Sequence, residues 1–155
     1  MRRNTAGSAG ETGLLALRTL ARREVSTEAL RAALHRAGLA PDQAEAELEV
    51  ARRTGALDDL RSARARARAL VLRGGWGRTA MLGRLVRLGY PAGLAEEALA
   101  EAIREEGWDE RSAAARLLRG TGDSLRRARR LLSRGFDPAL VRELIPGVAG
   151  MEEPG

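Results

Sequence analysis

The sequence predicts an all-α protein of three tandem three-helix repeats. Three observations point there. Ala and Leu dominate, aromatics are 3% of the chain, and Ile, Phe and Tyr are scarce, a composition that favours helix over strand. Apolar residues recur three and four apart, as at Leu60, Ala63, Ala67, Leu70 and Val71, so one stripe can face a core. One corner pattern also occurs three times, in LHRAGLAPDQAEAEL (34–48), LVRLGYPAGLAEEAL (85–99) and LLSRGFDPALVRELI (131–145).

In each copy a Leu precedes a Gly by four residues: Leu34 and Gly38, Leu85 and Gly89, Leu131 and Gly135. Leu39, Tyr90 or Phe136 follows the Gly, and Pro41, Pro91 or Pro138 comes shortly after. Apolar pairs then fall at Ala44 and Leu48, Ala95 and Leu99, and Val141 and Ile145. Such a pattern makes a helix–turn–helix corner. Gly takes the left-handed conformation that ends one helix, and the next apolar residue folds back on its last turn. Pro opens the following helix, where its missing N–H has no partner. The glycines lie 51 and 46 residues apart, which leaves room for one further helix per unit.

Residues 1–12 read as a flexible tail, without the apolar stretch of a secretory signal. Unit 1 covers 13–57. Its first helix is expected over 14–23, with Leu14, Leu17 and Leu20 or Ala21 inward. Ser26 caps a second helix over 27–37, and a third runs over 41–53 and stops at Gly55. Unit 2 covers 58–108. Asp58 or Asp59 caps a long basic helix that ends at Gly74-Gly75, and Trp76 and Gly77 form the corner. A helix over 78–88 follows, with Met81 or Leu82, Leu85 and Leu88 inward. The next, over 92–106, turns Leu94, Ala98, Leu99, Ala102 and Ile103 to the apolar side. Unit 3 covers 109–146. Asp109 or Glu110 opens a helix to Leu118, which the run 120–122 breaks. Asp123 or Ser124 caps a helix through Ser133, with Leu125, Ala128, Leu131 and Leu132 on its apolar side. Pro138 opens the last helix, Pro146-Gly147 ends it, and 147–155 read as a second tail.

The formal charge is +6, and all 27 basic residues are Arg. A G/C-rich codon pool accounts for Arg in place of Lys, but not for where the arginines sit. The stretch 11–60 carries a net −2 and 61–87 carries +8 with no acid. From Pro91 to Glu110 the balance reverses to −6, and from Arg111 to Arg134 it is +7. Two basic patches thus flank an acidic one, which suits docking on a surface of mixed charge better than coating a phosphate backbone. The arginine rows, with Trp76 beside them, form the candidate binding set: Arg61, Arg64, Arg66, Arg68, Arg73, Trp76, Arg78, Arg84 and Arg87 in unit 2, and Arg126, Arg127, Arg129 and Arg130 in unit 3. A guanidinium fork suits carboxylate or phosphate.

Nothing in the chain reads as catalytic. There is one His, no Cys and no ligand cluster, so no metal and no cofactor are expected. His35 lies near a helix C-terminus without a triad partner, and Asp58-Asp59 is better explained by capping than by acid–base work. Gly-Gly-Trp-Gly at 74–77 lacks the strand before it and the Lys-Ser/Thr after it that a phosphate loop needs. Trp76 reads first as a plug in its corner and second as a stacking platform for a partner or nucleobase. Trp108 reads as packing between units 2 and 3. No apolar run approaches the roughly 20 residues that span a bilayer, so a cytoplasmic, membrane-free protein is expected by default. No coiled-coil heptad appears, so the expected state is a monomer.

The run Gly55-Ala56-Leu57-Asp58-Asp59, the helix with Ala63, Arg66 and Arg68, then Gly75-Trp76-Gly77-Arg78 and Leu85-x-x-x-Gly89, resembles the signature of RecX regulatory proteins. The stretches 16–38 and 133–144 are similar to that family's ends, so the resemblance covers about 14–145. It implies a crescent-shaped array of three-helix repeats. It also implies binding in the groove of the RecA–DNA filament, where RecA's ATPase, strand-exchange and coprotease activities are lowered and DNA repair, recombination and the SOS response are modulated. Direct binding to single- or double-stranded DNA is implied as a secondary property. Two positions depart from the family, which usually has an aromatic at Ser62 and often one at Ala56.

Two functions of different class follow. The first is a RecA-filament regulator whose basic helices face the filament groove, while the acidic helix after Pro91 meets basic RecA surface. The second is a basic helical DNA-binding protein that acts without RecA. Few aromatics and an acidic helix count against the second.

Overall fold

The computed structural model describes residues 24–120 and 122–148. The helix expected over 14–23 and the tail over 1–12 lie outside them. The described residues form eight α-helices and no strand: α1 (Thr27–Arg36), α2 (Pro41–Arg53), α3 (Asp59–Arg73), α4 (Arg78–Arg87), α5 (Ala92–Glu105), α6 (Glu110–Leu117), α7 (Ser124–Ser133) and α8 (Pro138–Leu144). The protein is all-α.

The helix starts follow from short polar side chains. Ser26, Asp58, Asp109 and Asp123 each accept from the backbone N–H three residues on, and Asp137 accepts from Ala139 and Leu140. Hydrogen bonding by Ser112 holds the exposed Asp109 carboxyl below its ordinary range. The stops follow from the glycine corners. The N–H groups of Leu39, Tyr90 and Phe136 reach back five residues to Leu34, Leu85 and Leu131, and each preceding Gly has positive φ.

The buried residues form three clusters. Leu30, Leu34, Ala44 and Leu48 centre the first; Ala63, Met81, Leu85 and Leu99 the second; Ala128, Leu131, Phe136 and Val141 the third. Trp108 packs against the second and third together. In the second cluster α3 lies along α5, the most extensive helix pair among the described residues. Ala63 and Ala67 meet Ala95, Ala98 and Ala102 there, and small side chains let the two backbones approach closely.

One junction geometry occurs twice. The corner after α4 sits on the N-terminus of α1, where the Ser26 hydroxyl donates to the Leu88 carbonyl at 2.6 Å. Likewise, the corner after α7 sits on the N-terminus of α4, where the Gly77 N–H donates to the Arg134 carbonyl at 2.8 Å. The second acid of each acidic pair seals the contact. Asp59 accepts from the Thr27 N–H at 2.7 Å and Glu110 from the Arg78 N–H at 3.2 Å. Asp58 and Asp109 cap their own helices, so the adjacent carboxylates divide between capping and joining. The contacting helices run head to tail, a C-terminal carbonyl meeting an N-terminal donor at each joint.

Two apolar positions differ from expectation. Leu88, expected inward, is 44% exposed, because it is the C-cap of α4 and its carbonyl rather than its side chain makes the junction. Leu125 is 43% exposed, because the first turn of α7 extends past the cluster that buries Ala128 and Leu131. Ser62 is instead fully buried. Its hydroxyl bonds to the Tyr90 hydroxyl at 2.9 Å and also reaches the Val25 carbonyl.

Tyr90 is 2% exposed, and burial pushes its hydroxyl above the ordinary tyrosine value of 10.0. It is the only tyrosine, so absorbance of tyrosinate reports it alone. The expected inflection lies above about 10 in the folded protein and falls to about 10 in denaturant. Because the folded state holds the neutral phenol, this contribution to stability is complete below the unfolded pKa. It is lost as pH rises through the folded one. A folded inflection at the denatured value would show that the Tyr90 hydroxyl is solvated.

Candidate partner-binding surface

The thirteen residues that the sequence assigned to binding do not form one surface. Arg61 donates to the Gly55 and Ala56 carbonyls at the end of α2 and lies 3.4 Å from Glu24. Arg66 donates to the Glu24 carbonyl at 2.8 Å. Both therefore tie unit 2 to the chain before it. Arg64 pairs with Glu101 and Arg68 with Glu106, each at 2.5 Å. Both pairs ascend together along α3 and α5, so these helices point the same way, and the basic row of one lies along the acidic row of the other. Exposed pairs of this kind stabilise by about 0–1 kcal/mol. Their larger effect is to neutralise the face that the sequence offers as the most cationic.

The corner between α3 and α4 holds a different arrangement. The Arg84 guanidinium lies 3.7 Å from the centre of the Trp76 ring, and that of Arg134 lies 5.4 Å from it. Arg134 also donates to the Gly75 carbonyl at 2.9 Å. A cation over an indole face is attracted by the ring quadrupole. Trp76 is half-buried against the second cluster, so it is at once a plug and a platform for arginine.

In unit 3, Arg127 is drawn inward and donates to the Leu118 carbonyl, while Arg126 lies 3.6 Å from Asp123. Arg129 and Arg130 are exposed on the side of α7 away from Ala128 and Leu131, and neither forms an ion pair among the described residues. The same holds for Arg73, Arg78 and Arg87 around α4. Of the thirteen, the exposed arginines without an acidic partner among the described residues thus lie on α4, α7 and the end of α3 before the corner.

Sequence reasoning missed Arg134, whose role depends on a loop 59 residues away. It also missed Glu101 and Glu106 as partners of α3. Opposite charge on neighbouring blocks was the available signal; pairing required knowing that α3 packs on α5. Of the remaining acids of α5, Glu96, Glu97 and Glu105 are exposed. His35 is exposed, with Nδ1 3.4 Å from the Leu39 carbonyl. Among the described residues no cluster of three or more His, Asp or Glu could hold a metal ion, and no helix is long and apolar enough to cross a membrane.

No protein-family model matches this chain, and no curated protein matches it. A solved structure does. The crystal structure of RecX from Lactobacillus salivarius superposes with a TM-score of 0.71, covering 90% of this chain and 96% of that one at 16% sequence identity. This chain has the fold of that protein.

Proposed function

We propose that this chain is a RecX-like regulator that binds the RecA–DNA filament and lowers RecA's ATPase, strand-exchange and coprotease activities, thereby modulating DNA repair and the SOS response. The observation that carries the proposal is the likeness of fold over nearly the full length of both chains. The charge layout supports it. Arg73, Arg78, Arg87, Arg129 and Arg130 offer guanidinium groups that form no ion pair among the described residues, while Glu96, Glu97 and Glu105 offer carboxylates on another helix. A filament groove lined by protein and DNA presents both signs. A bare duplex presents one, and the acidic row of α5 opposes it. The protein acts as a monomer in the cytoplasm on this reading, without cofactor or catalytic residue.

The test is ATP hydrolysis by RecA on single-stranded DNA, titrated with this protein beside a binding curve to the bare DNA across salt. Inhibition at concentrations well below those that coat bare DNA is expected. Inhibition only where the protein already covers the DNA would replace this reading with RecA-independent DNA binding. Within the same assay, Arg129→Glu with Arg130→Glu is expected to raise the half-inhibiting concentration by about tenfold or more. Arg64→Ala with Arg68→Ala is expected to change it by less than about threefold, because those side chains already face Glu101 and Glu106. Equal effects of the two double variants would move the contact surface back to α3.

A further inference from the structure

We propose that Arg84, set over the Trp76 ring, is a preorganised carboxylate-binding group that takes an Asp or Glu side chain from a protein partner. At 3.7 Å the guanidinium covers the indole face. Trp76 is therefore not free to stack on a nucleobase through that face, and the group presented outward is the arginine. Arg134 directs one nitrogen to the Gly75 carbonyl, whereas no described residue accepts from Arg84. Its N–H donors therefore have no acceptor among the described residues.

A guanidinium held this way has already lost most of its side-chain freedom, so less is lost when an oxyanion binds. No acid competes for it locally. The stretch 61–87 contains none, and Glu110, the carboxylate at this junction, is committed to the N–H groups of Arg78 and Asp137. What surrounds Arg84 favours a protein over a phosphate backbone. Leu88, one turn on, is exposed beside Arg87, and a mixed guanidinium and aliphatic strip matches protein interfaces. The proposal rests on the filament-binding reading only for the identity of the protein that carries the carboxylate.

The test uses the full chain with Trp108→Phe, so that fluorescence reports Trp76 alone. Two probes of equal charge are titrated, a capped oligoglutamate peptide and an oligothymidylate. The peptide is expected to shift the emission, and Arg84→Lys, which keeps the charge but loses the flat fork, is expected to weaken its binding by about tenfold. Arg53→Lys, at an exposed arginine of α2 outside the binding set, serves as the control and is expected to leave this signal unchanged. Thermal unfolding of Arg84→Lys confirms that the fold persists. Unchanged peptide binding by Arg84→Lys would overturn the proposal. So would tighter binding of oligothymidylate than of the peptide, which would make the site a phosphate site. A chain that binds the peptide through Arg84 but fails to inhibit RecA would sink the filament reading and leave this site standing.

Discussion

Gly77→Ala is expected to destabilise the protein by about 3 kcal/mol, through the joint between α4 and α7 rather than through either helix. The backbone at Gly77 has φ −77 and ψ 166, which any residue adopts, so alanine suffers no intrinsic strain there. Its Cβ would lie 2.1 Å from the Gly135 carbonyl oxygen, 2.3 Å from that carbonyl carbon and 2.4 Å from the Phe136 nitrogen. All three are backbone atoms, so no side chain can swing aside. Relief requires the corner to lift, which breaks the Gly77 N–H bond to Arg134 and pulls Arg134 from Trp76. Urea denaturation measures the cost. Gly93→Ala is the matched control, a helical glycine with nothing within 4 Å of an added Cβ, and it is expected to be neutral or to stabilise by about 0.5–1 kcal/mol. A Gly77→Ala midpoint equal to wild type would show that the two corners separate at no cost. Amide exchange at Gly77 and Gly135 should accelerate in the variant before exchange in α5 does.

Leu131→Ala is expected to cost about 3 kcal/mol and to melt α6–α8 ahead of the rest. Leu131 is 0% exposed at the centre of the third cluster, and its carbonyl holds the corner by accepting from Phe136 and Arg134. The helices around it are short, at 8, 10 and 7 residues, and two of the seven buried side chains beneath them, those of Phe136 and Ile145, are larger than or equal to leucine besides Leu131 itself. Units that contact only their neighbours lose stability locally, so one cavity acts on one unit. Circular dichroism in urea is expected to show an early transition absent from wild type. Leu72→Ala, at a side chain 61% exposed, is expected to shift stability by less than about 0.5 kcal/mol. A single cooperative transition in Leu131→Ala would mean that the junction couples the units more strongly than their cores hold them.

The helices were legible because their signals are local. Ser26, Asp58, Asp109 and Asp123 mark starts, glycine followed by a larger apolar residue marks stops, and three and four spacing marks the inward stripe. The candidate surface was less legible because it depends on contacts far apart in the chain. Arg64 and Arg68 read as free until α5 brings Glu101 and Glu106 alongside. Asp59 and Glu110 read as alternative caps, since nothing within their own helices shows that each reaches the preceding unit. Arg84 and Arg129 look alike in sequence, but only the first has an indole beneath it.

The matching of α3 with α5 also shapes what happens before any contact is made. With its basic row lying along an acidic one, the second unit projects a weaker field into solvent than its sequence suggests. The stretch 111–134 keeps its net +7, which already includes Asp123, and Glu143 opposes it nearby through Arg111. Among the described residues positive charge is thereby concentrated in 111–134, and that stretch is expected to face a negative surface during diffusional approach. Capture rate and grip are then set in different places. If the proposed docking holds, salt is expected to slow arrival through the charges of α7, within a Debye length of about 10 Å at 0.1 M, while departure is expected to follow the contacts made after seating.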